Sequence, residues 1–231
     1  MIPKVIIDGF DTSTIPNCVL TGYDVGDILS PSFVENEAYG MNGTSREVES
    51  YNESKPTITW HLNTFDDAVK LVNHLDGLSK KIEFWHIPKS FYYYDCLSVK
   101  INAVTMSSWR VTLKLALYPF RYVKDVSDVT IAGNGNINNT GNVFSEPKIV
   151  VEGTGKGTLT VGKQVMELNL SGKATIECKH GQQCVYDAEG NVKNSIRTRG
   201  SFFEIQPGTQ GIAVSGGITK TIISPRWRYK V

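Results

Sequence analysis

Four segments in the first half of the chain are rich in β-branched or aromatic residues and alternate in part between apolar and polar positions. They are Thr57–Leu62 (TITWHL), Lys81–His86 (KIEFWH), Tyr94–Ala103 (YDCLSVKINA) and Trp109–Tyr118 (WRVTLKLALY), and the pattern predicts strands. Between the first two the period changes. Phe65, Ala68, Val69, Val72 and Leu75 recur at helical spacing. Thr64 stands where an N-cap belongs, and Asp66 and Asp67 fall in the first turn, where the helix dipole favours negative charge. Gly77 suits a C-terminal stop. The first half is predicted to be β structure with a single amphipathic helix.

Past residue 125 the helical period disappears. Short strands are predicted at Pro147–Glu152, Thr158–Val161, Gln164–Leu170, Ala174–Glu177, Ser201–Ile205 and Thr219–Ile223, separated by glycine or proline. Closely spaced strands with such turns predict an antiparallel β-sandwich. Within this pattern Gly153-Thr154-Gly155-Lys156-Gly157 reads as a hairpin turn, and residues 133–142 (GNGNINNTGN) as a turn or short linker. There is no tandem repeat.

Composition sharpens the division. Six of the 21 glycines lie in residues 1–125 and fifteen beyond, whereas seventeen of the 23 aromatics lie in the first part. The net charge of +1 conceals a first part with 12 basic and 15 acidic residues and a second with 12 and 8. A length of 231 residues therefore reads as two domains, 1–125 and 126–231. Hydrophobic residues at 40% and charged residues at 20% supply a core. The near-neutral total lacks the basic footprint of a nucleic-acid or anionic-membrane binder. With no long apolar run and no basic, apolar leader at the start, the expectation is a soluble protein that stays inside the cell that makes it. Four cysteines, Cys18, Cys96, Cys178 and Cys184, are too sparse for a disulfide scaffold and are expected to be reduced.

Candidate chemistry is thin. Residues 178–184 (CKHGQQC) offer two thiols and an imidazole, but no second pair of ligands completes a four-ligand zinc site, and His61, His74 and His86 all lie in the first part. The Gly153–Gly157 run opens no helix and so lacks the N–H groups that cradle phosphate. Carboxylates such as Asp24, Asp27, Glu35 and Glu37 read as solvated loop faces, and no nucleophile has a base in local context. The expectation is no catalytic residue, no cofactor and no metal. The most unusual composition is Phe91-Tyr92-Tyr93-Tyr94 beside Trp85. Such a run suits a protein interface or a sugar-stacking surface, though consecutive aromatics on a strand place two on each face and one pair can be core.

Several segments resemble the distal tail protein (Dit) family of phages with long non-contractile tails that infect Gram-positive bacteria. Residues 5–11 (VIIDGFD) resemble its N-terminal strand and turn, 39–44 (YGMNGT) its glycine-containing loop before a long strand, and 117–122 (LYPFRY) the close of its first domain. Residues 142–149 (NVFSEPKI) are similar to the entry into the second domain, and 202–208 (FFEIQPG) and 225–229 (PRWRY) to its late turn and its basic-aromatic last strand. The Cys178 region departs from the family, which has an acidic residue and a polar turn there.

The resemblance implies a mainly β protein: an N-terminal β-barrel-like ring domain with one helix, then a galectin-like antiparallel β-sandwich. It also implies a structural virion protein, made in the host cytoplasm and placed at the distal end of the tail, forming a homo-hexamer. The ring would join the tail tube protein to the tail-associated lysin or tip protein and carry adhesion components such as a receptor-binding protein. DNA would pass through without specific binding, and no membrane is involved. Tyr92, Tyr93 and Tyr94 are the residues expected at the ring interface. The rival reading is a carbohydrate-binding sandwich that recognises a host cell-wall glycan, which requires an exposed aromatic platform in the second domain.

Overall fold

The computed structural model describes residues 3–24, 30–36 and 43–230. The fold is mainly β, and the chain divides between Arg121 and Tyr122 into two compact units, with Lys230 returning to the first. This boundary lies just before the composition shift near residue 125.

In the first unit, β1 (Val5–Ile7), β2 (Phe10–Asp11), β3 (Val19–Asp24), β4 (Ser30–Asn36), β5 (Ser45–Asn52) and β6 (Thr57–Leu62) precede helix α1 (Phe65–Leu75). After the helix come β7 (Lys80–Phe84), β8 (Ser90–Thr105) and β9 (Ser108–Val123). One sheet has the order β2-β1-β7-β8-β9-β6-β3, and β4 and β5 form a separate two-stranded ribbon. Alternation decides the inner face of the sheet: Ile58, Trp60 and Leu62 on β6 and Val111, Leu113 and Leu115 on β9 are buried, while the residues between them are not.

Helix α1 closes over that core. Thr64 Oγ1 accepts from the Asp67 N–H at 3.1 Å, satisfying one of the free donors of the first turn. Its buried stripe is Ala68, Leu71 and Leu75, with Val72 partly buried beside it. Phe65, which the spacing assigned to the apolar face, instead stands half-exposed at the helix start, its ring 4.9 Å from that of Trp109.

The second unit contains β10 (Val129–Ile131), β11 (Gly135–Asn139), β12 (Lys148–Val161), β13 (Gln164–Glu177), β14 (Cys184–Tyr186), β15 (Arg197–Arg199), β16 (Gly208–Ser224) and β17 (Arg228–Lys230), which the chain reaches at its end. Three long antiparallel strands, β16-β12-β13, are its frame. β10 and β11 both pair with β16, at opposite ends, and β14 and β15 do the same on β13. Ile149 and Val151 from one end of β12 share a single core cluster with Leu159 and Val161 from the other. The long strands therefore bend over on themselves and enclose that core.

Glycine makes the bend possible, and here the structure corrects the sequence reading. Gly153–Gly157 is no hairpin turn but the middle of β12, where the register against β16 shifts on both sides of Gly153. A Cβ on Gly153 would collide with the Gly217 carbonyl, and one on Gly217 with the Thr154 carbonyl. Only glycine lets the two backbones approach so closely. The strands expected at Pro147–Glu152 and Thr158–Val161 are thus one strand, as are those at Gln164–Leu170 and Ala174–Glu177. The 133–142 segment is not a linker, since Gly135–Asn139 pairs with β16. Ser201–Ile205 makes only an isolated bridge, Ile205 to Ser145, and holds Phe203 and Ile205 in the core.

Candidate assembly surfaces

The aromatic run lies at the start of β8. Tyr94 is fully buried, and its hydroxyl donates to the Leu75 carbonyl at 2.8 Å, tying the strand to the end of α1. Tyr92 belongs to the same core. Burial raises the phenol pKa of both. Phe91 and Tyr93 occupy the opposite, half-buried face with ring centroids 5.3 Å apart at 89°, Lys81 Nζ lying 5.0 Å from the Phe91 centroid. Of the three tyrosines expected at an interface, two are therefore committed to the interior of their own unit. A contact on this stretch falls to Tyr93 and its neighbour Phe91.

The more conspicuous surface is one the sequence reading treated as solvated loop. Among the described residues β4 and β5 pair only with each other, and from Phe33 to Asn36 and from Ser45 to Ser50 every residue is exposed. Cross-strand pairing puts Phe33 opposite Val48 and Glu35 opposite Arg46, with Val34 opposite Glu47. Phe33, Val34 and Val48 are each more than 40% exposed. The Arg46–Glu35 ion pair, 2.7 Å and open to solvent on both sides, adds little. At its base the ribbon is held by Tyr51, whose ring packs edge-on against Phe120 at 5.7 Å and whose hydroxyl takes a hydrogen bond from Lys230. A two-stranded ribbon without a covering layer is marginal in water. Asp27, Glu37 and residues 39–42 of the glycine-containing loop lie outside the described residues.

Exposure of large apolar side chains is lopsided. Among the described residues, Val19, Phe33, Val34, Val48, Phe65, Leu78, Leu97, Val104 and Met106 are exposed in the first unit, against Val165 and Val192 in the second. Met106 is fully exposed at the tip of the β8–β9 hairpin.

Beyond residue 125 the second unit keeps five of its six aromatics inside or occupied, and the sixth, Tyr186 on β14, is partly exposed. Phe203 and Trp227 are buried, Phe202 and Phe144 lie under the guanidinium groups of Arg197 and Arg228, each at 4.6 Å, and Tyr229 donates to the Thr140 carbonyl. An open groove of about 610 Å³ is lined by Glu152, Gly153, Thr154, Gly172, Lys173, Gly217 and Thr219, none of them aromatic. The basic residues of the last strand are internal fasteners. Arg226 forks onto both carboxylate oxygens of Glu177, and Arg228 holds Glu146 at 3.1 Å and the Phe144 carbonyl at 2.7 Å. Burial alone would push the Glu177 carboxyl up, but the Arg226 fork, the Lys179 N–H and the charges of Arg226 and Lys148 outweigh it and hold the pKa below the usual range.

Cys18 and Cys178 are unsuited to chemistry. Cys178 is buried and its pKa is pushed up to about 12, and burial raises Cys18 to about 11. Thiols so far from ionised make poor nucleophiles and poor metal ligands. Among the described residues no three His, Cys, Asp or Glu side chains converge on a metal position, and none of the helices is long and apolar enough to cross a membrane.

No family model matches the sequence, and no curated protein matches it. Solved structures do. The Dit protein of SPP1, described as a paradigm of the hub adsorption apparatus in Gram-positive-infecting phages, superposes with a TM-score of 0.70 at 14% identity, over 96% of this chain and 98% of that one. A chain of the phage P2 baseplate in its activated conformation with Ca matches with a TM-score of 0.57 at 9% identity, over 100% and 99% of the two chains. A chain of the phage p2 baseplate activated with Sr gives 0.52 at 8%, over 96% and 98%. The chain has the fold of a phage Dit protein across both of its units.

Proposed function

We propose that this chain is a structural virion protein of the phage tail tip, a non-enzymatic hub whose first unit closes six copies into a ring. The observation that carries the reading is the ribbon β4–β5, acidic and apolar at once, with Phe33, Val34 and Val48 exposed among the described residues. Cyclic closure needs two different complementary patches on each copy, and the exposed apolar residues that would build them concentrate in the first unit. Likeness in fold to the SPP1 hub and to chains of the P2 baseplate supports the tail location. On this reading the ring joins the tail tube protein to the tail-associated lysin or tip protein, supports a receptor-binding protein, and lets DNA through a central channel. The second unit, a galectin-like sandwich, serves as a rigid outer module, with Phe203 and Trp227 spent on its own core and Phe202 and Phe144 on cation–π contacts.

Antibody labelling of virions that carry this protein tests the assignment. Label confined to the distal end of the tail is expected. Label on the capsid, or along the whole tube, would contradict it.

A further inference from the structure

The cross-strand register sorts the ribbon side chains onto two faces, because directly opposed residues share a face and successive residues alternate. Phe33 with Val48 and, two places on, Glu35 with Arg46 lie on one face; Val34 with Glu47 and Asn36 with Ser45 lie on the other. The first face therefore joins two exposed apolar side chains to the Arg46–Glu35 ion pair. A cavity of complementary character lies on β1 and β7. Ile6 and Glu83 stand opposite each other there, on the side away from buried Val5, Ile7, Ile82 and Phe84. The cavity, about 180 Å³, is walled by Ile6, Trp85, Ile87 and Pro88, with Glu83 and Lys89 beside them. Its walls are preformed: the Ile87 N–H closes the turn after β7 on the Phe84 carbonyl at 3.1 Å, and the Trp85 ring packs edge-on against Tyr23 at 5.9 Å. Lys4, which also lines it, is held by Asp11 at 2.7 Å, whereas exposed Lys89 has no ion-pair partner among the described residues.

We propose that Phe33 of one copy enters this cavity on the next copy, with Val48 beside it, Glu35 directed to Lys89 and Arg46 to Glu83. The inference rests on the ring reading and names the two surfaces that meet in it. Size and charge choose the occupant. The cavity has room for one side chain of about phenyl size. Of the two exposed phenylalanines among the described residues, Phe65 is engaged with Trp109, and Phe33 projects from the ribbon. Each ribbon charge meets its opposite, whereas an occupant acidic throughout would set Glu83 against a like charge. Burial of Phe33 and Val48 supplies the attraction; exposed ion pairs add little affinity by themselves and fix the register. Ribbon face and cavity are different surfaces of the same unit, as head-to-tail closure requires.

Photocrosslinking in the full-length chain tests it. With p-azidophenylalanine in place of Phe33, a mixture of isotope-labelled and unlabelled copies is expected to crosslink between copies to residues 4–6 or 82–89. Crosslinks that map to any other segment, or only within one copy, overturn the pairing. A mutant cycle on the association constant, by sedimentation equilibrium, is the second test. Phe33→Ala and Ile6→Trp, which fills the cavity, are each expected to weaken association at least about tenfold, and both together by no more than about threefold beyond either alone. Thermal midpoints matching wild type establish that the variants fold. Losses that multiply, or unchanged association in both variants with the wild type still assembling, overturn this contact and leave the ring intact. A wild-type chain that stays monomeric both alone and with its tail partners overturns the ring and the pairing together.

Discussion

Glu177 shows how a single side chain in the second unit gathers several constraints. It accepts a two-pronged bond from Arg226 and the Lys179 N–H, with its own side chain only 13% exposed. Its carboxyl is held below the value of 4.5 that it approaches in the unfolded chain. A group depressed in this way stabilises the fold above its unfolded pKa, and the contribution is lost as pH falls through the folded value. Arg226→Ala is therefore expected to lower stability by about 2 kcal/mol at neutral pH, the size of a hydrogen bond to a charged group, and by less below pH 4. Urea unfolding at the two pH values measures the difference. At Gly217, where a Cβ meets the Thr154 carbonyl, Gly217→Ala is expected to cost about 1–3 kcal/mol or more, since the backbone of β12 must shift to admit it. Calorimetry checks this as a fall in Tm.

At the scale of elements, the helix and the ribbon sit at opposite ends of stability. Thr64 caps α1, and the helix buries three side chains against the sheet, so Thr64→Ala is expected to cost about 1 kcal/mol and leave assembly untouched. Replacing Phe33 and Val48 together by serine has the opposite signature: an unchanged Tm, because both are exposed in the monomer, and association weaker at least about tenfold, since apolar area lost at an interface is felt in its affinity.

Strand β6 was legible in the sequence because its alternation is uninterrupted, and helix α1 because its period begins at the Thr64 cap. The bent strands were not, because a glycine triplet looks the same in a turn and in a bulged strand. What separates the two is the close approach of Gly217, 64 residues away along the chain. Alternation along Phe91–Tyr94 indicated that two rings would face each way, but the identity of the buried pair depended on the Leu75 carbonyl waiting for Tyr94. The ribbon escaped the residue pattern because Ser, Glu and Asn between its apolar residues hid the alternation of β4 and β5, and only the resemblance implied a strand after residue 44.

For the whole molecule, the division of labour follows the composition. The first unit is acidic overall and rich in aromatics, and its surface exposes nine of the eleven large apolar side chains found exposed among the described residues. The second is glycine-rich and basic, and two of its arginines are bound internally to Glu177 and Glu146. The proposed ring, closed through the first unit, would use the surface that water tolerates least. The mass and symmetry of the purified full-length protein, alone and with its tail partners, by light scattering and negative-stain imaging, test this most directly. The account predicts a sixfold ring of about 154 kDa, six times the 25.6 kDa chain, with a central channel. A monomer in every condition, or a closed assembly of another symmetry, would contradict it.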